Sequence, residues 1–113
     1  MLDIQSLKAF GADTDEGLAR CMGAQEFYLS LVETLLEDTR LEELEGALAE
    51  KDLDKAFEHA HALKGMYGNL SLTPLFVPVN EMAELLRFRT DTDYSPLLAQ
   101  AKVKYAELKA LKG

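Results

Sequence analysis

Apolar residues return every three or four positions along most of this 113-residue chain, the spacing of one face of an α-helix. No stretch shows the apolar–polar alternation typical of a half-buried strand. The connections between the helical segments are short, which makes consecutive helices antiparallel neighbours. The pattern predicts an all-α fold, an antiparallel up-down four-helix bundle with a short extra N-terminal helix, in which residues 1–113 form one domain.

Polar residues that can begin helices divide the first half of the chain. Asp13 followed by Glu16 has the spacing of a capping box, in which each residue bonds to the other's backbone N–H. Residues 39–42 repeat that spacing inside a long helical pattern that starts at Ala24. That pattern is also compatible with a continuous helix, and we favour a bend or short break near Asp38 and Thr39.

The second half is divided in the same way. Asp52 is the predicted N-cap of a helix that runs to about Leu70. The pairs Thr-Pro at 73–74 and Ser-Pro at 95–96 each predict a cap followed by the first helical residue. Pro78 lies shortly after the first of these pairs, so we expect it to distort the first turn of that helix or to delay its start.

Composition excludes several classes of function. The chain carries 12 basic and 20 acidic residues, a formal net charge of −8, whereas phosphate backbones and anionic membranes attract basic surfaces. No apolar run is long enough to span a bilayer, and the N-terminus lacks a signal-peptide pattern. Cys21 is the only cysteine, so an internal disulfide is impossible. We therefore expect a cytoplasmic protein that binds neither nucleic acid nor membranes.

The helix beginning after Asp52 contains two histidines and two glycines. On a helical wheel His61 lies at the edge of the apolar face, and Lys64, Gly65 and Gly68 follow it on the same strip. The strip offers a nucleophilic ring nitrogen, a cation and two positions without side chains. His59 lies about 200° around the helix from His61, so the two imidazoles cannot act on one atom. For His59 we expect a solvent-facing or packing role.

The sequence HALKG at 61–65, followed by GNL at 68–70, resembles the histidine-containing phosphotransfer (HPt) domains of two-component phosphorelays. Residues 17–23 and 41–48 resemble the segments that precede the histidine helix in that family, so the resemblance covers most of the chain. Three features depart from the family pattern: Ser71 stands where glycine is common, Met66 and Tyr67 are bulky, and Pro78 comes early in the next helix.

The resemblance implies a role for each residue of the strip. His61 would accept a phosphoryl group from an aspartate of one receiver domain and pass it to another. Lys64 would offset the phosphoryl charge. Gly65 and Gly68, with Met66 beside them, would form the docking surface.

The resemblance also implies partners and cofactors. The partners would be response-regulator receiver domains, a hybrid sensor histidine kinase, or both. The chain would be a monomeric phosphoryl carrier without independent turnover and not an enzyme. It would hold no cofactor or metal, since the Mg²⁺ belongs to the receiver. Asn80 or Glu84 on the next helix would hold the second nitrogen of His61. A start at Met1 favours a stand-alone protein over a fragment of a larger kinase.

Two other readings of the same residues stay open. A histidine at the edge of an apolar face is more often structural, which would make the chain a helical interaction module with an inert histidine. Glu58 and His61 also have the spacing used in di-iron bundles, yet such sites need a second Glu-x-x-His motif and two more inward glutamates. With only two histidines in the chain, we rank a metal-binding bundle below the other two.

Overall fold

The computed structural model describes residues 2–112, and every regular element in that range is an α-helix. Seven helices follow one another: α1 Ile4–Phe10, α2 Thr14–Arg20, α3 Gln25–Leu35, α4 Arg40–Ala49, α5 Leu53–Asn69, α6 Thr73–Arg87 and α7 Ser95–Lys112. The predicted all-α class is confirmed, and the N-terminal part holds two short helices before the bundle.

The bundle is built from the five later helices. α3 and α4 follow each other with a short break and form its first arm, and α5, α6 and α7 are the other three. α5 packs between α4 and α6, and α6 packs against α7. α1 lies against α7, and α2 against α3. α5 and α6 are therefore the two inner helices, each with a neighbour on both sides.

Each bundle helix turns one apolar stripe towards the core. On α5 the buried residues recur at the helical spacing of three and four, which leaves the rest of its surface for other uses. They are Ala56, Ala60, Leu63 and Tyr67. On α6 the corresponding buried residues are Leu75, Pro78, Val79, Met82, Ala83 and Leu86. None of the helices in residues 2–112 is both long and apolar enough to cross a bilayer.

The expected break near Asp38 is present, because α3 ends at Leu35 and α4 begins at Arg40. The predicted capping box at residues 39–42 is wrong: the Thr39 side chain makes no cap hydrogen bond. The Asp38 carboxylate accepts from the Arg40 N–H at 2.7 Å instead. The side chain at the start of α4 thus bonds to the Arg40 N–H and comes from the residue before Thr39, whereas a capping box would have used the Glu42 N–H.

The aspartate caps lie where the sequence placed them. Asp13 accepts from the Glu16 N–H and Asp52 from the Lys55 N–H, each at 3.1 Å. The capping box at Asp13 is only half formed, because the Glu16 carboxylate accepts a hydrogen bond from the Ser71 hydroxyl at 2.8 Å. The hydrogen bond with Ser71 thus takes the place of the expected bond between the Glu16 carboxylate and the Asp13 N–H.

The two helices with a proline near their start each begin one residue earlier than predicted. Thr73 and Ser95 are the first residues of α6 and α7 and not their caps. Pro78 does not delay α6, which runs unbroken through it. Its missing N–H would have bonded only the Pro74 carbonyl, so the helix loses a single bond near its start.

α2 is fastened to the C-terminal end of α5. Gly17 packs so closely on the Tyr28 ring that an added Cβ would lie 2.6 Å from it. The buried Tyr28 hydroxyl donates to the Leu70 carbonyl at 2.7 Å, and burial raises the pKa of Tyr28 to about 12. The Asp13 N–H donates to the Ser71 carbonyl at 2.9 Å. Ser71 has a φ of +55°, the left-handed conformation that favours glycine.

Candidate functional site

His61 lies exposed on the surface of α5. Its ring stacks on that of Phe57, one turn earlier, with the centroids 5.6 Å apart and the planes 29° from parallel. Phe57 is half-buried against the core. The imidazole therefore has a firm contact on one side and solvent around the remainder of its ring.

Lys64 supplies the cation one turn after His61. Its Nζ lies 3.2 Å from Glu84 Oε1 on α6, and the Arg87 guanidinium lies 3.2 Å from the same oxygen. The Lys64 hydrogen bond, and then the charge of Arg87, hold the pKa of Glu84 below its usual value. The ammonium is thus tethered to an exposed carboxylate that an incoming anion can displace.

The two glycines keep the surface beside Lys64 low. A Cβ at Gly65 would meet nothing within 4 Å, whereas one at Gly68 would lie 3.2 Å from the Phe76 ring. Both border a shallow depression of about 340 Å³. Its lining includes Lys64 and Phe76 together with Glu16 and Arg20 of α2. The depression begins at the cation of the His61 strip and extends to α2.

The structure places Met66 apart from the glycines. Met66 is half-buried and lines a separate depression with Leu31 and Leu35 of α3. The rotation of about 100° between successive helical residues turns it away from Gly65. Met66 therefore faces α3, whereas the glycines face α2 and α6, and the docking role of Met66 stays a prediction.

The family model of the Hpt domain matches residues 30–111, which extend from the middle of α3 almost to the end of α7. The chain belongs to the Hpt domain family. Hpt domains take part in histidine phosphotransfer within phosphorelays, where they interact with receiver domains and kinases. Neither a curated protein nor a solved structure matches the chain significantly. In this Hpt domain α1, α2 and the first turn of α3 lie outside the matched segment.

The two residues expected to hold the second nitrogen of His61 have different surroundings. Glu84 bonds to Lys64 and Arg87, so its hydrogen bonds go to cations and not to the imidazole. Asn80 is half-buried on α6. Within residues 2–112, neither makes a hydrogen bond to His61, whose ring stacks on Phe57.

His59 occupies the opposite side of α5 and is enclosed. Its side chain is only 18% exposed, and its Nδ1 lies 3.8 Å from Glu43 Oε2 on α4. That nitrogen is buried without a hydrogen-bond partner among the described residues. Of the two roles expected for His59, helix packing is the one that the structure supports.

Residues 2–112 contain no group of three or more His, Cys, Asp or Glu side chains placed to hold a metal ion. Two further contributions to the site are not among the predicted site residues. The first is Phe57, whose spacing of four residues from His61 is itself a signal for contact on a helix. Glu16 and Arg20 gave no local signal, because they reach the site through contacts distant in sequence.

Proposed function

We propose that this Hpt domain relays phosphoryl groups between receiver aspartates through His61. A ring nitrogen of neutral His61 attacks the phosphorus of a receiver phosphoaspartate. The P–N bond forms as the P–O bond breaks, and the receiver carboxylate departs with the electron pair. The reverse sequence delivers the group to the aspartate of a second receiver. The carrier ends unchanged, so no independent turnover is expected.

The observation that carries the proposal is an exposed histidine on one strip with a cation and an unobstructed glycine, in a chain of the Hpt family. Phosphoryl transfer depends mostly on placement and electrostatics, so the carrier needs little more than a positioned nucleophile. An arriving phosphoryl group would compete with Glu84 for the Lys64 ammonium, which is only 3.2 Å from that carboxylate. Lys64 would then stabilise charge where the group is transferred.

The depression around Gly65 and Gly68 is the proposed docking surface for the receiver. It adjoins the His61 strip through Lys64, and α2 forms its far wall with Glu16 and Arg20. The Mg²⁺ required for the chemistry would come with the receiver. We propose that the domain works as a monomer in the cytoplasm, in keeping with its acidic surface and its single cysteine.

The experiment that tests this function is phosphotransfer from receiver domains charged with acetyl phosphate. Wild type should acquire an acid-labile, base-stable phosphate that peptide mapping places on His61. His61→Gln should acquire none, and the matched His59→Gln should be labelled like wild type. Equal labelling of wild type and His61→Gln would overturn the assignment.

The alternative function is an interaction module with an inert histidine. It predicts that receivers bind the depression while no phosphate reaches the chain. Phosphoramidate, which phosphorylates accessible histidine directly, is the control that shows whether His61 can carry a phosphoryl group at all. Labelling of His61 by phosphoramidate, with no transfer from any charged receiver that binds, would favour the interaction module.

A further inference from the structure

Phe57 contacts two cation-capable side chains outside the core. The His61 ring stacks on it, with the centroids 5.6 Å apart. The Arg89 guanidinium carbon lies 4.8 Å from its ring centroid, within the range of a cation–π contact. Phe57 therefore links the candidate phosphoacceptor to Arg89, the second residue after the end of α6.

Arg89 is held in place from several directions. Its Nε donates to Asp54 Oδ1 at 2.6 Å, and one terminal nitrogen donates to the Leu86 carbonyl at 2.7 Å. Its backbone has a φ of +52°, a conformation that costs a residue other than glycine roughly 1 kcal/mol or more. Here that conformation ends α6, where the Thr90 N–H donates to the Leu85 carbonyl at 3.0 Å. The guanidinium contacts hold the side chain.

We propose that Phe57 and Arg89 are positioning residues for phosphoryl transfer: Phe57 fixes the plane of the His61 imidazole, and Arg89 fixes Phe57. The inference rests on the proposed function of His61. An exposed imidazole without a contact samples several rotamers, and only some direct a ring nitrogen at an incoming phosphorus. Stacking on a ring that is itself clamped removes the unproductive orientations before the receiver arrives.

A positioning role and a docking role for Phe57 predict different kinetics. Loss of the stack should lower the transfer rate at saturating receiver and leave the half-saturating receiver concentration unchanged. Because an aromatic pair contributes a factor of roughly two to ten, Phe57→Leu should slow transfer about threefold to tenfold. Phe57→Tyr keeps the ring and should stay within about twofold of wild type. Arg89→Ala should slow transfer about twofold to fivefold, since it loosens the ring without removing it.

The matched control is Phe88→Leu, the same substitution at a neighbouring phenyl that is 78% exposed. It should leave the saturating rate at the wild-type value. Arg89→Ala also guards against a folding artefact at Phe57, because Arg89 is a surface residue outside the core.

A spectroscopic measurement tests the geometry without any partner. In ¹H–¹³C spectra the ring current of Phe57 should shift the His61 Cε1–H and Cδ2–H resonances. Phe57→Leu should move both towards random-coil values, Arg89→Ala should move them less, and His59 resonances should stay put. Unmoved His61 resonances, or wild-type rates in Phe57→Leu and Arg89→Ala, would overturn the positioning role. If the positioning role fails but His61→Gln is inactive, His61 remains the phosphoacceptor. An active His61→Gln would instead overturn the assignment of His61.

Discussion

The two sides of α5 each carry a histidine, one largely buried and the other exposed. His59 faces α4, is 18% exposed and has a glutamate 3.8 Å from its Nδ1. His61, two residues later, is exposed and shares its side with Lys64 and Gly65. A helix turns about 200° over two residues, so neighbours in sequence become opposites in space. The role of each imidazole is decided by what the bundle places against it.

The two sides also differ in what they contribute to stability. The side of His59 buries side chains against a neighbouring helix. The side of His61 contains two glycines, each of which costs a helix about 0.5–1 kcal/mol relative to alanine. We infer that the closed side maintains the fold and the open side is given over to partner access. Substitutions on each side should therefore separate stability from phosphotransfer.

The largest effect is expected for Lys64→Ala on the open side. Charge-assisted hydrogen bonds contribute about 1.5–3 kcal/mol, so transfer at saturating receiver should fall roughly tenfold to a hundredfold. Unfolding in urea should be nearly unchanged, because an exposed ion pair such as that with Glu84 adds little stability. Lys55→Ala, an exposed lysine in the first turn of the same helix, is the control. Equal rates for Lys64→Ala and Lys55→Ala would remove Lys64 from the chemistry.

Gly65→Gln should block the open side while stabilising the helix. The new side chain meets no obstacle within the domain, and glutamine is a better helix former by about 0.5–1 kcal/mol. The half-saturating receiver concentration should rise about tenfold, if roughly 1.4 kcal/mol of contact is lost. Gly46→Gln on α4 is the matched control, since that position is equally open. It should gain the same stability and leave receiver binding unchanged; weaker binding in both variants would argue against a local docking surface.

Tyr28→Phe tests how firmly α2 is held as the wall of the open side. Loss of the buried bond to the Leu70 carbonyl should lower the unfolding free energy by about 1–2 kcal/mol. The raised pKa of Tyr28 means that the folded state favours the neutral phenol, so this contribution is full below about pH 10 and declines as pH rises towards 12. Denaturant titrations should show wild type losing more stability than the variant between about pH 10 and about pH 12. If the unfolding free energies of wild type and Tyr28→Phe fall in parallel as pH rises, Tyr28 does not contribute to the loss of stability at alkaline pH.

The smallest effect on transfer is expected for His59→Leu on the closed side. The substitution removes a buried nitrogen that lacks a partner among residues 2–112, so the unfolding free energy should rise by about 1 kcal/mol. Transfer kinetics should match wild type at every receiver concentration. A loss of transfer at wild-type stability would show that the two sides of α5 are not independent.

Much of the fold follows from the sequence because its causes are local. The 3.6-residue period places the His61 strip at the edge of the apolar face, and aspartate caps mark where α2 and α5 begin. The period says nothing about which helix covers each side. Met66 faces α3 because of how that helix lies across α5, and no spacing within α5 encodes this.

The part of the site that the sequence did not disclose depends on long-range contacts. Glu16 satisfies the local capping-box pattern, yet its carboxylate binds a hydroxyl 55 positions away. Arg89 lies in a polar loop pattern, and only the fold brings it to Asp54 and to the ring of Phe57. Such contacts arise where helices end, the point at which a helical wheel stops being informative.

The close approach of Gly17 to Tyr28 has a consequence for how this domain can change its partners. With the phenol 2.6 Å from where a methyl would sit, even alanine at that position must push α2 outward. The four bundle arms would persist, but Glu16 and Arg20 would leave the rim of the depression. A single added carbon, outside the segment that matches the family model, would thereby reshape the proposed docking surface while the histidine stays as it is.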